Sequence, residues 1–444
     1  MSSITIYDVQ KLAKPQRLGE GVQSNGVQFV LAGSVDYGLD KSIVNAIRRT
    51  LLNDIPTVAF EVVDEGVGSG DLTIVTNRSV LHNEMVLHRF SLIPLYIDPE
   101  SYTKQYFFEC KVKHESPDPF RFITANDMNI YPLRKHIAER VDRLHDEGVE
   151  SDTQEEEALH TLLDTHSPDN YDLLKPMTQK DKNAILRPYD FRGKSHYSLI
   201  HELKHTGTEH TFQELHIFGS PSVGTAKHHS RYQAVSQAAY SFVKDEDMIQ
   251  HTLEDRLKRE NVSEEAKDKY TRRFMLAESE RYFKRDKYNE PTQYLFKLKS
   301  THFWTAERLF HKACNILMDG CDDIKVGLLA LLKESPTTIT LVQPSELQFA
   351  ITMNQQGHTL GNALQGHITR RSIEKDGIIL TCGYKQPHPL EESIVFYLSL
   401  NPNHKISKET ELHQKQSVIT FLMEQLDELK ALFKTILECA QKTL

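Results

Sequence analysis

The 444-residue sequence contains no run of about 18 apolar residues, the length a membrane-spanning helix needs. Its opening "MSSITIYDVQ" lacks the charged-then-apolar layout of a secretory signal, so neither membrane insertion nor secretion is expected. Cysteine is scarce. Five residues, Cys110, Cys314, Cys321, Cys382 and Cys439, are odd in number and scattered, which supports neither a disulfide framework nor a Cys-rich metal site and suits a reducing, intracellular compartment. A basic balance is also missing: the formal net charge of -9 would repel the chain as a whole from phosphate backbones, so direct nucleic-acid binding is not expected. No G-x-x-x-x-G-K-[ST], no G-x-G-x-x-G after a strand, no G-x-S-x-G and no paired Cys-x-x-Cys occurs. Binding, rather than catalysis, is what these absences leave.

What is present begins with room for two or three domains and an ordinary 39% apolar content. The acidity is uneven. Asp146 to Asp169 holds nine carboxylates and no Lys or Arg, which reads as an exposed, partly disordered insertion. An internal echo organises the rest: "VQFVLAGSVDYGLDKSIVNAIRRTLL" (27–52) against "LQFAITMNQQGHTLGNALQGHITRR" (347–371). Each opens with period-two alternation, Val27, Phe29, Leu31 and Leu347, Phe349, Ile351, Met353, as in a strand with one buried face. A glycine turn follows (Gly38, Gly357), then a helix around Asn45, Ala46, Ile47 and around Asn362, Ala363, Leu364. Two related modules in one chain are predicted.

At the C-terminal end Leu412, Ile419, Leu422, Leu426, Leu429, Phe433, Ile436 and Ala440 keep a heptad rhythm, predicting a long helix with a narrow apolar seam. Its candidate partner carries Ala306, Leu309, Phe310, Ala313, Ile316 and Leu317 on one face, with Gly320 as a stop signal. Between the modules, "LLKESPTTITLVQPSEL" with Pro336 and Pro344 reads as a linker. From Gly327 to Glu346 it spans at most roughly 60 Å when extended. Residues 56–130 mix short strands with a helix in "SVLHNEMVLHRFSLIPL", where Leu81, Met85, His88 and Leu92 share a face. A charged helical stretch from Asp245 to Phe274 precedes the strand-like "YLFKLKS".

One stretch suggests a zinc hydrolase. His201, Glu202 and His205 in "IHELKHTG" have the H-E-x-x-H spacing that puts two imidazoles on one face of a helix beside a general base. The alternation of Leu199, His201, Leu203 and His205, with the turn "TGTE" before "FQELHIF", predicts a hairpin instead. On a strand, residues four apart lie about 13 Å from each other, against about 6 Å on a helix, so the pair would not chelate one ion. The third-ligand extension is also out of register at Gly207 and His210.

At "NAIRRTLLNDIPTVAFE", "SVLHNEMVLHRFSLIPL", "GTAKHHSRYQAV" and "HTLGNAL...GYKQPHPLE", in that order, the chain resembles the assembly subunits of multisubunit RNA polymerase. The part to about residue 330 resembles the third-largest subunit of RNA polymerase II, archaeal D and bacterial alpha; the part from about 345 resembles the eleventh subunit and archaeal L. The resemblance implies an α+β fold with two related strand-helix dimerisation modules, the first interrupted by an inserted mixed or β domain, and a long C-terminal helix. The expected layout is 1–55 for the N-terminal part of the first dimerisation domain and 56–240 for the inserted domain. Residues 241–330 complete the first domain with a charged insertion near 243–290, 331–345 are the linker, and 346–444 the second module. The function implied is a non-catalytic assembly platform that binds the second-largest and largest polymerase subunits, with small polymerase subunits as further partners, DNA met only indirectly, no membrane and no cofactor.

The matching motifs carry candidate interface residues. The resemblance turns Asn45, Arg48 and Arg49 toward large partners, where guanidinium groups suit carboxylates; simple solvation of the helix stays open as the alternative. His82, Asn83, Glu84, His88 and Arg89 lie on the "LHNEMVLHR" helix, where packing within the inserted domain and partner contact both remain open. His358, Thr359, Leu360, Gly361 and Asn362 open the second helix, with Thr359 a candidate N-cap, and are expected to set dimer geometry. His388, Pro389 and Leu390 are expected at the same joint, and Lys227, His228 and Arg231 as a basic spot facing a partner. Relatives often hold a cysteine cluster for zinc or iron-sulfur after the segment matching Leu92 to Leu95; here only Cys110 follows, so no metal is expected. Fusion, with insertions near 134–182 and 243–290, resembles the polymerases of large DNA viruses replicating in host cytoplasm. That implies cytoplasm and virion, with the nucleus as alternative.

Overall fold

The computed structural model describes residues 4–12, 25–33, 39–62, 70–132, 176–205, 212–286, 289–371 and 377–444. Gly38, the turn 206–209, His210 and the acidic stretch 146–169 lie outside the described residues, as does most of the insertion expected near 134–182.

The first module opens with antiparallel strands β1 (Thr5–Lys11) and β2 (Gly26–Ala32). Helix α1 (Lys41–Asn53) follows; the Asp40 carboxylate caps it by accepting from the Ser42 N–H, and Ile43, Val44, Ile47 and Leu51 form its buried face. The chain then leaves to build the inserted domain from β3 (Pro56–Ala59), β4 (Leu72–Asn77), α2 (Asn83–Ser91), β5 (Tyr106–Lys113), β6 (Phe120–Thr124) and β7 (Met128–Pro132). After it come α3 (Gln179–Ile185), β8 (Tyr189–Phe191), β9 (Lys194–His196), β10 (Leu199–Lys204), β11 (Glu214–Gly219) and β12 (Ser222–Thr225). Its main sheet runs β4-β11-β5-β7, with the pairs β6–β10, β3–β12 and β8–β9 around it, over a core of its own.

The chain returns to the first module with β13 (Val235–Phe242), the helical hairpin α4 (Glu246–Arg259) and α5 (Glu264–Ala277), β14 (Gln293–Ser300) and α6 (Ala306–Leu332). The second module repeats the plan without insertions: β15 (Ile339–Ser345), β16 (Gln348–Asn354), α7 (His358–Arg371), β17 (Ile379–Lys385), β18 (Ser393–Leu400) and α8 (Glu411–Thr443). The sheets have the orders β1-β2-β14-β13 and β15-β16-β18-β17, the same connectivity twice. The internal echo therefore extends over the whole module, and the alternating residues Val27, Phe29, Leu31, Phe349, Ile351 and Met353 are all buried.

The two modules share one continuous core. Helices α6 and α8 pack antiparallel along the predicted seam, flanked by the ion pairs Lys325–Asp427 (2.6 Å) and Asp322–Lys430 (2.5 Å). Each long helix also lies on the first strand of the other module. α8 reaches β1, where Cys439 Sγ donates to Ile4 O at 3.2 Å, and α6 meets β15, where Ile339 fills the space beside Gly327.

Several expectations are corrected. α6 runs through Gly320 to Leu332; the glycine is a close-approach site, since a Cβ there would lie 2.6 Å from Leu360 Cδ1 on α7. Leu412, at the start of α8, is outside the seam and 64% exposed, because the antiparallel α6 ends before reaching it. Within the expected linker 331–345, only 333–338 lacks helix or strand; 339–345 is the edge strand β15, which tolerates Pro344 at a register shift. Strand β13, overlapping the range 56–240, belongs to the first module's sheet. On α2 the buried face is Val86, Leu87 and Phe90, while Met85 and Leu92 are 52% and 65% exposed.

Candidate subunit interface

The two modules meet where α1 packs against α7, antiparallel. At one end Arg49 Nε donates to Thr359 Oγ1 at 3.1 Å. At the other, Gly366 approaches Ser42 so closely that a Cβ would lie 2.7 Å from the serine Oγ, and Arg370 Nε lies 3.1 Å from Asp40 Oδ2. Arg49 thus serves the intramolecular joint. Arg48, half-buried, donates from Nε to Asn45 Oδ1 at 2.9 Å, and the exposed Asn362 occupies on α7 the place of Asn45 on α1. Helix α7 begins at His358, so Thr359 sits inside its first turn and is not the N-cap. His358 Nδ1 is 3.1 Å from Tyr384 OH. Gly361 is buried against Ile394 and Tyr384, and Leu360 lies on Gly320. These residues fix how the helix sits on its sheet. His388, Pro389 and Leu390 do not join them. They form an exposed turn whose hydrogen bonds are local, with Leu390 N–H on His388 Nδ1 at 3.2 Å and Leu390 itself 88% exposed.

In the inserted domain, His82 stands at the N-cap position of α2 without a side-chain cap bond, and Glu84 is exposed in the first turn, where a carboxylate suits the helix dipole. Asn83 accepts from Asn77 Nδ2 at 2.8 Å, Arg89 donates to Ile200 O at 3.0 Å, and His88 is half-buried. Asn83 and Arg89 therefore hold the helix within its domain. The basic spot divides. Lys227 is exposed and pairs with Glu392 of the second module at 2.9 Å, and His228 Nε2 is 3.0 Å from Glu61 Oε1. Arg231 is buried, donating to Phe60 O (3.0 Å), Val62 O (3.2 Å) and His229 Nδ1 (3.0 Å). It clasps the end of β3 from a buried position instead of forming part of an exposed basic spot. Asp40, Asp286, Gly366 and Arg370 are the joint residues that sequence reasoning missed; only the helix-start position of Asp40 carries a local signal.

The H-E-x-x-H stretch is extended. His201 and Glu202 lie on β10, opposite Ile123 and Phe122 of β6, and His205 follows the strand. Burial, with Arg89 nearby, pushes the His201 pKa below the usual range and keeps the ring neutral. The helical geometry that a zinc hydrolase needs is absent from this pair. Among the described residues no three His, Cys, Asp or Glu gather as metal ligands, and no helix is long and apolar enough to cross a membrane. Burial pushes the thiols of Cys110, Cys314, Cys321 and Cys382 up to about 12, where a nucleophilic thiolate is suppressed.

Comparison with known proteins bears on both modules. The family described as RNA polymerase Rpb3/Rpb11 dimerisation domain matches residues 37–321, and a second family of the same description matches residues 348–438. Among curated proteins the chain is similar to DNA-directed RNA polymerases I and III subunit rpac1 of Dictyostelium discoideum, 32% identical over 111 residues, which are 22% of this chain and 28% of the relative. It is also similar to DNA-directed RNA polymerases II, IV and V subunit 3 of Arabidopsis thaliana, 41% identical over 13% of this chain and 15% of the relative. A third is DNA-directed RNA polymerase subunit Rpo3 of Pyrobaculum calidifontis, 34% identical over 14% and 21%. The alignments span less than a third of each of these relatives. Two modules of one connectivity, joined through α1 and α7 and each matched separately, lead to one assignment: the chain belongs to the RNA polymerase Rpb3/Rpb11 dimerisation-domain family.

Proposed function

We propose that this chain is a non-catalytic assembly-platform subunit of a multisubunit DNA-directed RNA polymerase, equivalent to a covalently fused pair of the third-largest and eleventh subunits. The observation that carries the reading is the pair of like-connected modules on one continuous core, each with its own family match. The joined α1–α7 surface recruits the second-largest subunit and then the largest, and smaller subunits dock around it; DNA is met only through the complex. Fusion favours the viral cytoplasmic type, with host cytoplasm and virion as its locations.

Arg48 is the residue to test first. It is half-buried and its Nε bonds only within its own helix, to Asn45, so reversing its charge leaves the module joint intact. Arg48→Glu is expected to reduce co-purification of the two large subunits from cells assembling the enzyme, by tenfold or more if a desolvated carboxylate pair is broken, about 1.4 kcal/mol or above. The circular dichroism and melting temperature of the isolated chain should stay unchanged. Failure of the wild-type chain to recover either large subunit would defeat the reading.

A further inference from the structure

The inserted domain and the paired modules have separate cores, and the chain crosses between them twice, once between α1 and β3 and once between β12 and β13. The crossings are tied side by side, the Lys227 N–H donating to Asn53 O at 2.9 Å. Two adjacent crossings make a hinge, so the angle of the domain has to be set elsewhere. We propose that Glu100 sets it: gripped by Lys312 and Arg308 beside Trp304, it latches the inserted domain onto the first module.

The latch is built from both bodies. On the module side, Trp304 stands just before Thr305, the N-cap of α6, and is 3% exposed; its carbonyl accepts from Ser300 Oγ at 2.6 Å. Arg308 and Lys312, four residues apart, share one face of α6. Both cations lie near the indole, Lys312 Nζ at 5.0 Å and Arg308 Cζ at 5.7 Å from the ring centre. On the other side, the turn after buried Ile97 offers Glu100. Pro99 restricts the backbone there and Asp98 Oδ1 accepts from the Glu100 N–H at 3.2 Å, so the carboxylate is presented with little freedom. It pairs with Lys312 and lies 3.7 Å from Arg308. Next to the pair, Thr57, Ile97 and Pro99 of the inserted domain meet Ala234, Trp304 and Leu309 of the first module around a small cavity.

Exposed ion pairs ordinarily add little, because ordering two long side chains in water offsets their attraction. This pair departs from that rule in three respects. The cations are already held beside an indole, the Lys312 side chain is only 22% exposed, and one carboxylate meets two positive charges. The ion pair of Lys227 with Glu392, which ties the inserted domain to the second module, joins two exposed side chains instead. Glu100 is therefore the positioning residue of the junction.

Thiol labelling of the full chain, read site by site by peptide mass spectrometry, measures the opening. In an Ala234→Cys background the new thiol sits buried at the junction and reacts when the two bodies part. Native Cys110, in the core of the inserted domain, and Cys314, in the shared core, react only when their own body unfolds. Glu100→Lys sets a third cation against Lys312 and Arg308. It is expected to raise labelling of the junction thiol by about tenfold or more and to leave Cys110 and Cys314 at their parent rates. Exchanging the charges, Glu100→Lys with Lys312→Glu, should bring the junction rate back toward the parent. Thr57→Cys, on the opposite wall of the cavity, replaces Ala234→Cys as the probe if that chain does not fold. A junction rate that is unchanged in Glu100→Lys, or that rises in step with Cys110 or Cys314, overturns the latch. So does a charge-exchanged chain that labels as fast as Glu100→Lys alone.

Discussion

Replacing Arg231 by methionine separates two readings of the motif "GTAKHHSRYQAV". As a basic spot facing a partner, it would lose binding and keep its stability. The structure assigns the opposite outcome. The guanidinium donates to Phe60 O and Val62 O, carbonyls just beyond β3, and to His229 Nδ1. His229 Nδ1 also receives the Arg231 backbone N–H at 3.1 Å and stays satisfied after substitution, so two buried carbonyls are orphaned. Each costs about 1–3 kcal/mol, giving a total of about 2–6 kcal/mol against a typical domain stability of about 5–15 kcal/mol. The damage should be local to the β3–β12 pair, which Thr57 Oγ1 also ties to Tyr232 O at 2.8 Å. Amide hydrogen exchange of β3 and β12 in the full chain is the assay, with recovery of large polymerase subunits measured in parallel. Exposed Lys227, paired with exposed Glu392, is the internal contrast: Lys227→Ala should cost less than about 1 kcal/mol. Unchanged exchange in Arg231→Met together with lost partner recovery would refute the clasp and restore the partner contact.

Two further outcomes follow from the core and from one buried imidazole. Phe433, fully buried on α8 within the shared core, should cost about 3–5 kcal/mol on truncation to alanine. Because that core is continuous, both modules should unfold in one shifted calorimetric transition; a shift confined to one module would contradict it. His302 lies where Pro56, Ile97 and Pro99 meet Trp304 and Leu309, and burial depresses its pKa to about 4. The unfolded chain binds this proton near pH 6.5 and the folded one only near 4, so stability is complete above about 6.5 and falls as the pH drops through that window, by about 2 kcal/mol at pH 5. Melting curves at pH 7.5 and 5 should differ less for His302→Gln than for wild type; equal differences would remove His302 as the cause.

What the sequence made legible was periodic burial. Val27, Phe29 and Leu31 announce their strand, and the residues from Ile419 to Ala440 announce α8, because one-sided burial writes its period into the chain. The misreadings share a different physics. Gly320 looks like a stop because a helix-ending glycine and a close-approach glycine are the same letter; only Leu360, from the other module, tells them apart. On the nine-residue α2, two apolar faces fit the spacing, and the sheets below decide for Val86, Leu87 and Phe90. Arg231 reads as surface because charge usually is, until two carbonyls from another part of the chain meet it. Asp40 and Arg370 are separated by most of the chain, so no local pattern pairs them. The errors thus concentrate where the modules touch each other or the inserted domain. That is also where the modules depend on each other: with α6 resting on β15 and α8 on β1, each module's long helix packs on the other within one shared core. The short connection at 333–338 then supplies proximity, and the side chains of the joint meet only once both modules are folded together.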